Sequence, residues 1–445
     1  MNDVSLPAHQ RTGLLMIAVA ALLCGLQYGY TLAVVAGAES LVVAQFGLTS
    51  QQLGLVVSNL DLGAAVGALL AGPLSDRVGR KRVMVGTALL FLAAAILAAG
   101  AWSLPSLLIG RMLGGCAVGA TLIMPLYVAE LAPARVRGLF VSFVQIGIVS
   151  GILGAYAASW ATLGLGTAAW RWMFGIGIVP ALLFLIVCHW LSESPRWLAA
   201  RGYRQESQEA LKSMLGPKEI GAELAAIERA LEVGEGSWRD VFQPGARRAL
   251  GIGIALAILS VTGGINAVIL YGPAILLRGA SEELDKALLG AIALGGVNFV
   301  FSLVAMVTID RFGRKPLLLC GLAGMGIAMC WLGGAFISAA ADAQANLLWP
   351  ILAFVAFYAM SLGPVSWVII AEVFPTRARG VGMAICIVVM YLADFVVTLV
   401  FPPAMQAFER QVFFGFAGIC AAGVILTLLV IPETKDKSLE EISQS

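Results

Sequence analysis

The chain is written as long apolar runs broken by short charged phrases. A helix that crosses a bilayer needs about 20 mostly apolar residues. Runs of that length lie at 13–36, 53–74, 83–102, 105–128, 138–160, 172–191, 249–277, 286–307, 316–338, 347–371, 381–401 and 411–431. Lipid offers the backbone no hydrogen-bonding partner, so each run is predicted to be a helix. Between the sixth and seventh runs, at 192–248, the pattern changes. Gln205–Leu215 and Pro217–Leu231 carry apolar residues at helical spacing among charges, which predicts short amphipathic helices on a membrane face. The resulting division is a first bundle at 1–191, a helical linker at 192–248, a second bundle at 249–431 and a polar tail at 432–445.

Composition sharpens this picture. Apolar residues make up 60% of the 445 residues and charged residues 12%, about half the charge of a soluble domain. The bilayer is therefore the expected solvent. The seven cysteines sit in apolar runs with no CxxC pair, and the two histidines are isolated; this predicts packing thiols, no metal site and no cofactor. The first apolar run is long enough to span, unlike a cleavable signal peptide. Of the 28 basic residues, all but Arg111, Arg171, Arg278, Lys286 and Arg410 fall on the side that holds both termini. The positive-inside rule makes that side cytoplasmic.

The charged phrases recur at half the chain length. Asp76-Arg77-Val78-Gly79-Arg80-Lys81 returns as Asp310-Arg311-Phe312-Gly313-Arg314-Lys315. Glu130…Pro133…Arg135…Arg137-Gly138 returns as Glu372…Pro375…Arg377…Arg379-Gly380. Such a repeat marks a duplicated membrane protein with two pseudo-symmetric six-helix bundles and a binding site between them near the midplane. Asp76, Arg77, Arg80, Glu130, Arg137, Glu193, Arg196, Asp310, Arg311, Arg314, Glu372, Arg379 and Glu433 all fall at cytoplasmic span ends. Opposite charges there can pair, each pair contributing roughly 1 kcal/mol or more. Topology needs only the positive ones, so the matched signs point to a charge latch.

Together with Gly110-Arg111, Ser192-Glu193-Ser194-Pro195-Arg196-Trp197-Leu198 and the Pro432-Glu433-Thr434-Lys435 tail, these phrases resemble the sugar porter family of the major facilitator superfamily. The resemblance runs from Tyr28-Gly29-Tyr30 almost to the end. It implies the major facilitator fold and alternating access, with the latch holding the outward-facing state and parting as the carrier opens inward. It also picks out polar residues inside the spans: Gln145, Asn266 and Asn298 as amides for sugar hydroxyls, Trp367 as a face for a pyranose ring, and Tyr271 as a gate. Tyr28, Tyr391 and Asp394 complete the expected substrate set. Gly263-Gly264 and Gly363-Pro364 are expected to weaken their helices, as gating elements require.

The departures from the family pattern narrow the reading. Ser260 and Val261 stand where hexose carriers have paired glutamines, Ala359 where a glutamate is common, and Tyr391-Leu-Ala-Asp394 where Trp-x-x-Asn is usual. A pentose, a polyol, a modified sugar or a non-sugar ligand stays open. Both usual proton carriers are replaced, by Thr31 and Gly177. Arg111 lies about 9 Å into its span and needs a partner there. Asp61, at similar depth, is the expected one, either taking up a proton when the pair parts or serving as a permanent structural partner or facing the water-filled cavity; Asp394 is a further candidate, for substrate contact or for proton coupling.

The expected function is secondary active or facilitative transport of a sugar or polyol by alternating access, with proton coupling. The alternatives are a uniporter, an organic-anion/proton symporter and a transporter-like nutrient sensor. No nucleophile–base pair, nucleotide loop or nucleic-acid-binding pattern is evident, so neither an enzyme nor a nucleic-acid binder is expected. The expected partners are a small-molecule substrate, protons and the lipid bilayer around a monomer. The lack of an Asn-x-Ser/Thr sequon and the short outer loops fit a bacterial inner membrane.

Overall fold

The computed structural model describes residues 8–133, 137–212, 217–233, 238–278, 284–336, 343–375 and 377–433. The first half contains α1 (Ala8–Phe46), α2 (Ser50–Val78), α3 (Arg80–Ala99), α4 (Leu104–Ala120), α5 (Ile123–Leu131), α6 (Arg137–Thr162), α7 (Ala169–Ile176) and α8 (Ile178–Trp190). Three short helices follow: α9 (Pro195–Ala200), α10 (Arg204–Lys212) and α11 (Pro217–Val233). The second half contains α12 (Pro244–Thr262), α13 (Ile265–Arg278), α14 (Leu284–Phe312), α15 (Arg314–Ala335), α16 (Ala343–Met360), α17 (Leu362–Val373), α18 (Arg379–Phe408) and α19 (Gln411–Leu429).

Among the described residues, 11 helical stretches are long and apolar enough to cross a membrane. One of them, Arg137–Trp190, has 54 residues, more than twice the roughly 20 a bilayer needs. A turn at Gly166, with φ 72°, folds it back on itself, so the stretches make twelve crossings. Several crossings are broken near their middle. α12 and α13 part at Gly264, whose φ of 97° no side-chain-bearing residue adopts easily. α16 and α17 part at Ser361, just before Gly363-Pro364.

Close helix approach rests on small residues. A Cβ on Gly115 would sit 2.0 Å from the Leu60 carbonyl oxygen, and one on Gly63 would sit 2.3 Å from that of Met112. α2 and α4 therefore touch backbone to backbone, as small-xxx-small pairs allow. α1 and α6 meet in the same way through Gly25, Gly29, Gly147 and Gly151. Large apolar side chains such as Leu69, Leu70, Val179, Ile327 and Val396 face outward, which in water would be an unusually large exposed apolar surface.

The two halves meet along three seams: α2 on α18, α6 on α14 and α1 on α13. The α2–α18 seam runs from the end opposite the charged loops toward the middle. Ser50 Oγ donates to Gln406 Oε1 at 2.7 Å, Gly54 abuts Leu399, and Asp61 meets Thr398.

Candidate functional site

At the charged end of the bundle, Arg80 is the organising residue of the first half. Its guanidinium lies 3.2 Å from Glu130 and 2.9 Å from Asp76. The Glu130 side chain is only 3% exposed and also accepts from Ser194 Oγ at 2.5 Å. Glu193 caps the start of α3, accepting from the backbone N–H of Arg80 at 2.9 Å and of Lys81 at 3.1 Å. A carboxylate there meets both the free N–H groups and the positive end of the helix dipole.

The second half repeats this assembly. Arg314 pairs with Glu372 at 3.1 Å, and Glu433 accepts from the N–H groups of Arg314 and Lys315, each at 3.1 Å. Even the lysines match: Lys81 Nζ donates to the His189 carbonyl at 2.9 Å, and Lys315 Nζ to that of Leu428 at 3.1 Å. Gly79 and Gly313 turn with φ of 104° and 86° and leave room for the capping carboxylates. Each named pair joins elements of one half, so these contacts brace a bundle internally. Arg77, Arg196 and Arg311 are exposed, and Arg137 and Arg379 are half-buried. The Asp310 side chain and residues 434–445 lie outside the described set.

Near the middle, polar side chains from both halves converge. Tyr28 on α1 and Tyr391 on α18 place their hydroxyls 3.3 Å apart. Asn266, in the first turn of α13, donates to Asp394 Oδ2. Trp367 packs on the apolar cluster that contains Tyr391 and borders Tyr28. Tyr271 donates to the Thr398 carbonyl at 2.9 Å and lies 5.0 Å from the Phe401 ring. These two rings help to line a cavity of about 480 Å³ at the end opposite the charged loops, bordered also by Glu39, Ser50 and Gln406. Tyr271 thus borders that vestibule and reaches Thr398 on α18.

Gln145 and Asn298 belong to the α6–α14 seam. Gln145 is exposed on the α6 face that continues through Ile152 to Tyr156, where the Tyr156 hydroxyl donates to the Ile269 carbonyl at 2.7 Å. Asn298, 6% exposed, lies one turn beyond Gly295, where a Cβ would meet Leu153 and Tyr156. Both thus lie on helix faces that continue into this seam, without a hydrogen bond to the Asn266–Asp394 group.

The expected Asp61–Arg111 ion pair is not formed. Arg111 donates instead to the carbonyls of Thr31 (2.9 Å), Val56 (3.2 Å) and Val57 (3.2 Å). Three carbonyl dipoles thus solvate the guanidinium, one of them the backbone carbonyl of Thr31 on α1. Asp61 turns away toward α18 and accepts from Thr398 Oγ1 at 3.0 Å. Thr398 was not among the expected site residues. Its position one turn after Asp394, on the same helical face, was the available signal.

The sequence profile described as "Sugar (and other) transporter" matches residues 17–445. The chain belongs to that family. It is 36% identical over 435 residues to the Bacillus subtilis protein described as "Probable metabolite transport protein CsbC", covering 95% of this chain and 92% of that one. It is 34% identical to the arabinose-proton symporter of the same organism, with 98% and 96% covered. Among solved structures, the partially occluded inward-open xylose transporter XylE of Escherichia coli matches with a TM-score of 0.86 at 31% identity, covering 96% and 100% of the two chains. XylE bound to 6-bromo-6-deoxy-D-glucose matches at 0.79, with 31% identity and 98% and 99% covered. The fold is that of a twelve-helix major facilitator transporter, a multi-pass membrane protein. Its arrangement is nearer the inward-open form than the sugar-bound one, in keeping with the closed α2–α18 seam. The Arg80–Glu130 and Arg314–Glu372 pairs are intact in this arrangement.

Proposed function

We propose that this protein carries a sugar or polyol into the cell by alternating access, coupled to protons, as a monomer in a bacterial inner membrane with both termini in the cytoplasm. The observation that carries the reading is the midplane cluster between the halves. Asn266, Tyr28, Tyr391 and Asp394 offer amide, hydroxyl and carboxyl partners beside the indole of Trp367, with Gln145 and Asn298 on the adjoining seam. Amides and hydroxyls both donate and accept, which suits a polyhydroxylated ligand. The named substrates of the relatives, glucose, arabinose, galactose and xylose, support a pentose or a hexose as the first candidates.

In this reading the end with the charged loops is cytoplasmic, and the 480 Å³ vestibule opens outward. The paired charge clusters keep each bundle rigid while the bundles rock. Any latch between them in the outward-facing state would need partners other than those made here. The test is uptake by purified protein in proteoliposomes across pentoses, hexoses, polyols and organic acids, with and without an imposed pH gradient. Concentrative uptake of a sugar only with the gradient is expected. Equilibration alone at any gradient would establish a uniporter, and preference for an organic acid would overturn the sugar assignment.

A further inference from the structure

Asp61 on α2 and Asp394 on α18 come from opposite halves and meet at Thr398, whose hydroxyl lies 3.0 Å from Asp61 Oδ2 and 2.8 Å from the backbone carbonyl of Asp394, with the two carboxyl groups side by side. They are 1% and 2% exposed. Around them, the polar neighbours are mostly neutral. Thr398 Oγ1 donates to Asp61, and Asn266 donates to Asp394 Oδ2. Asp394 Oδ1 is buried and receives no hydrogen bond from a hydroxyl, amide or cation. The titratable groups that face the pair are the phenols of Tyr28 on α1, Tyr271 on α13, Tyr358 on α16 and Tyr391 on α18 itself, with Arg111 on α4. Arg111 is engaged by three carbonyls and forms no ion pair with either acid.

Two carboxylates in contact in a buried site repel, and one proton held between them turns repulsion into a hydrogen bond. We infer that Asp61 and Asp394 share one proton across the boundary between the halves, and that this shared proton is what allows the outer side of the carrier to close. The inference rests on the proposed transport function and deepens it by assigning the coupling site. When the halves separate outside, the two acids part, and the open vestibule delivers the proton. Closure brings the acids together only with that proton in place. Its loss toward the cytoplasm leaves two like charges in contact, which drives the outer seam apart and resets the carrier. The proton balance is one taken from outside and one released inside per cycle. Asn266 links the pair to the sugar-binding group, because the amide that serves Asp394 is also a candidate partner for a sugar hydroxyl.

The closed seam offers a readout that needs no sugar. Ser50 and Gln406 touch across it, so a Ser50→Cys/Gln406→Cys double variant, cross-linked with a short thiol-reactive reagent in proteoliposomes, reports the closed fraction. The same variant background without the engineered pair accounts for the native cysteines. If closure takes up one proton, the closed-to-open ratio falls up to tenfold for each pH unit raised. Asp61→Asn and Asp394→Asn, each placed separately in this background, let an amide donate to the remaining carboxylate with no proton needed. In each the pH slope is expected to vanish. Each variant is tested alone, so that failure of one to fold leaves the other informative. A wild-type ratio independent of pH between about 5 and 8, or a slope that survives in the variants, would overturn the inference. A pH slope in the wild-type background, lost in both variants, with no uptake of any sugar would instead leave the shared proton standing and count against the proposed transport function.

Discussion

The α2–α18 seam makes a quantitative prediction at Gly54. A Cβ there would lie 2.3 Å from the carbonyl oxygen of Leu399 and 3.2 Å from its carbonyl carbon. An ordinary C···O contact is about 3.3 Å, so α18 would have to retreat by about 1 Å. The obstacle is backbone, which cannot rotate away as a side chain does. Overpacking of this kind costs about 1–3 kcal/mol, and it does so only where the two helices touch. For Gly54→Ala, the ratio of outer-open to outer-closed carrier should therefore rise by about 5- to 150-fold. Gly154→Ala is the control, because a Cβ there meets nothing within 4 Å. Both substitutions gain about 1 kcal/mol of helix propensity, so their difference isolates the contact. The assay is the rate at which a membrane-impermeant maleimide labels a cysteine placed at Ala274, which lines the outer vestibule, alongside sugar uptake. Gly54→Ala should label at least fivefold faster and transport more slowly. If it labels and transports as Gly154→Ala does, close approach of α2 to α18 is not part of the cycle.

Three further outcomes follow from the same geometry. Arg80→Ala leaves Glu130, at 3% side-chain exposure, without its cation, a loss of about 3–5 kcal/mol; thermal unfolding of the purified protein should fall clearly, and Arg314→Ala should cost less because Glu372 is 27% exposed. Gly79→Ala combines a φ of 104° with a Cβ 2.2 Å from Glu193 Oε2, whereas at Gly313 the matching distance to Glu433 is 3.2 Å; the first substitution should reduce the yield of folded protein in membranes more than the second. Trp367→Ala should weaken sugar half-saturation in counterflow by about tenfold, equivalent to about 1.4 kcal/mol, while Trp367→Phe, which keeps an aromatic face, retains most of the affinity.

The charge clusters show what a sequence can reveal about such a protein. Glu193 and Glu433 occupy matched places in a repeat, and each caps the helix that begins directly after a matched glycine turn. That geometry is local to the span ends and encoded twice, so reading one copy reads the other. The breaks at Gly264 and before Gly363-Pro364 were legible for a similar reason, since the residues themselves weaken a helix. Asp61 was different. Depth along a span places it level with Arg111, but depth is one coordinate, and the deciding one is the helical face. Asp61 lies seven residues, or two turns, after Gly54, which fixes it on the face turned to α18. Nothing in the order of residues says which distant helix that face will meet.

The proposed pairing of Asp61 with Asp394 has a mechanistic consequence. The family resemblance places proton carriers at the positions of Thr31 and Gly177, both within the first half. Here a threonine and a glycine offer no ionisable group, and the proposed pair joins Asp61 to Asp394 in the second half. An acid confined to one rigid bundle senses the conformational state only through changes in its solvation. An acid pair divided between two bundles is made and unmade by the rocking itself. Coupling then requires no relay from a distant site, because the free energy of the proton and that of seam closure are properties of the same contact. A ligand can shift such an equilibrium only by its differential affinity for the two states, and a proton that binds strongly only when α2 and α18 touch has that difference built in. Arg111, bound to carbonyls within its own half, is then left to hold α4 against α1 and α2, and conversion of Arg111 to Lys should alter stability before it alters the pH dependence of closure.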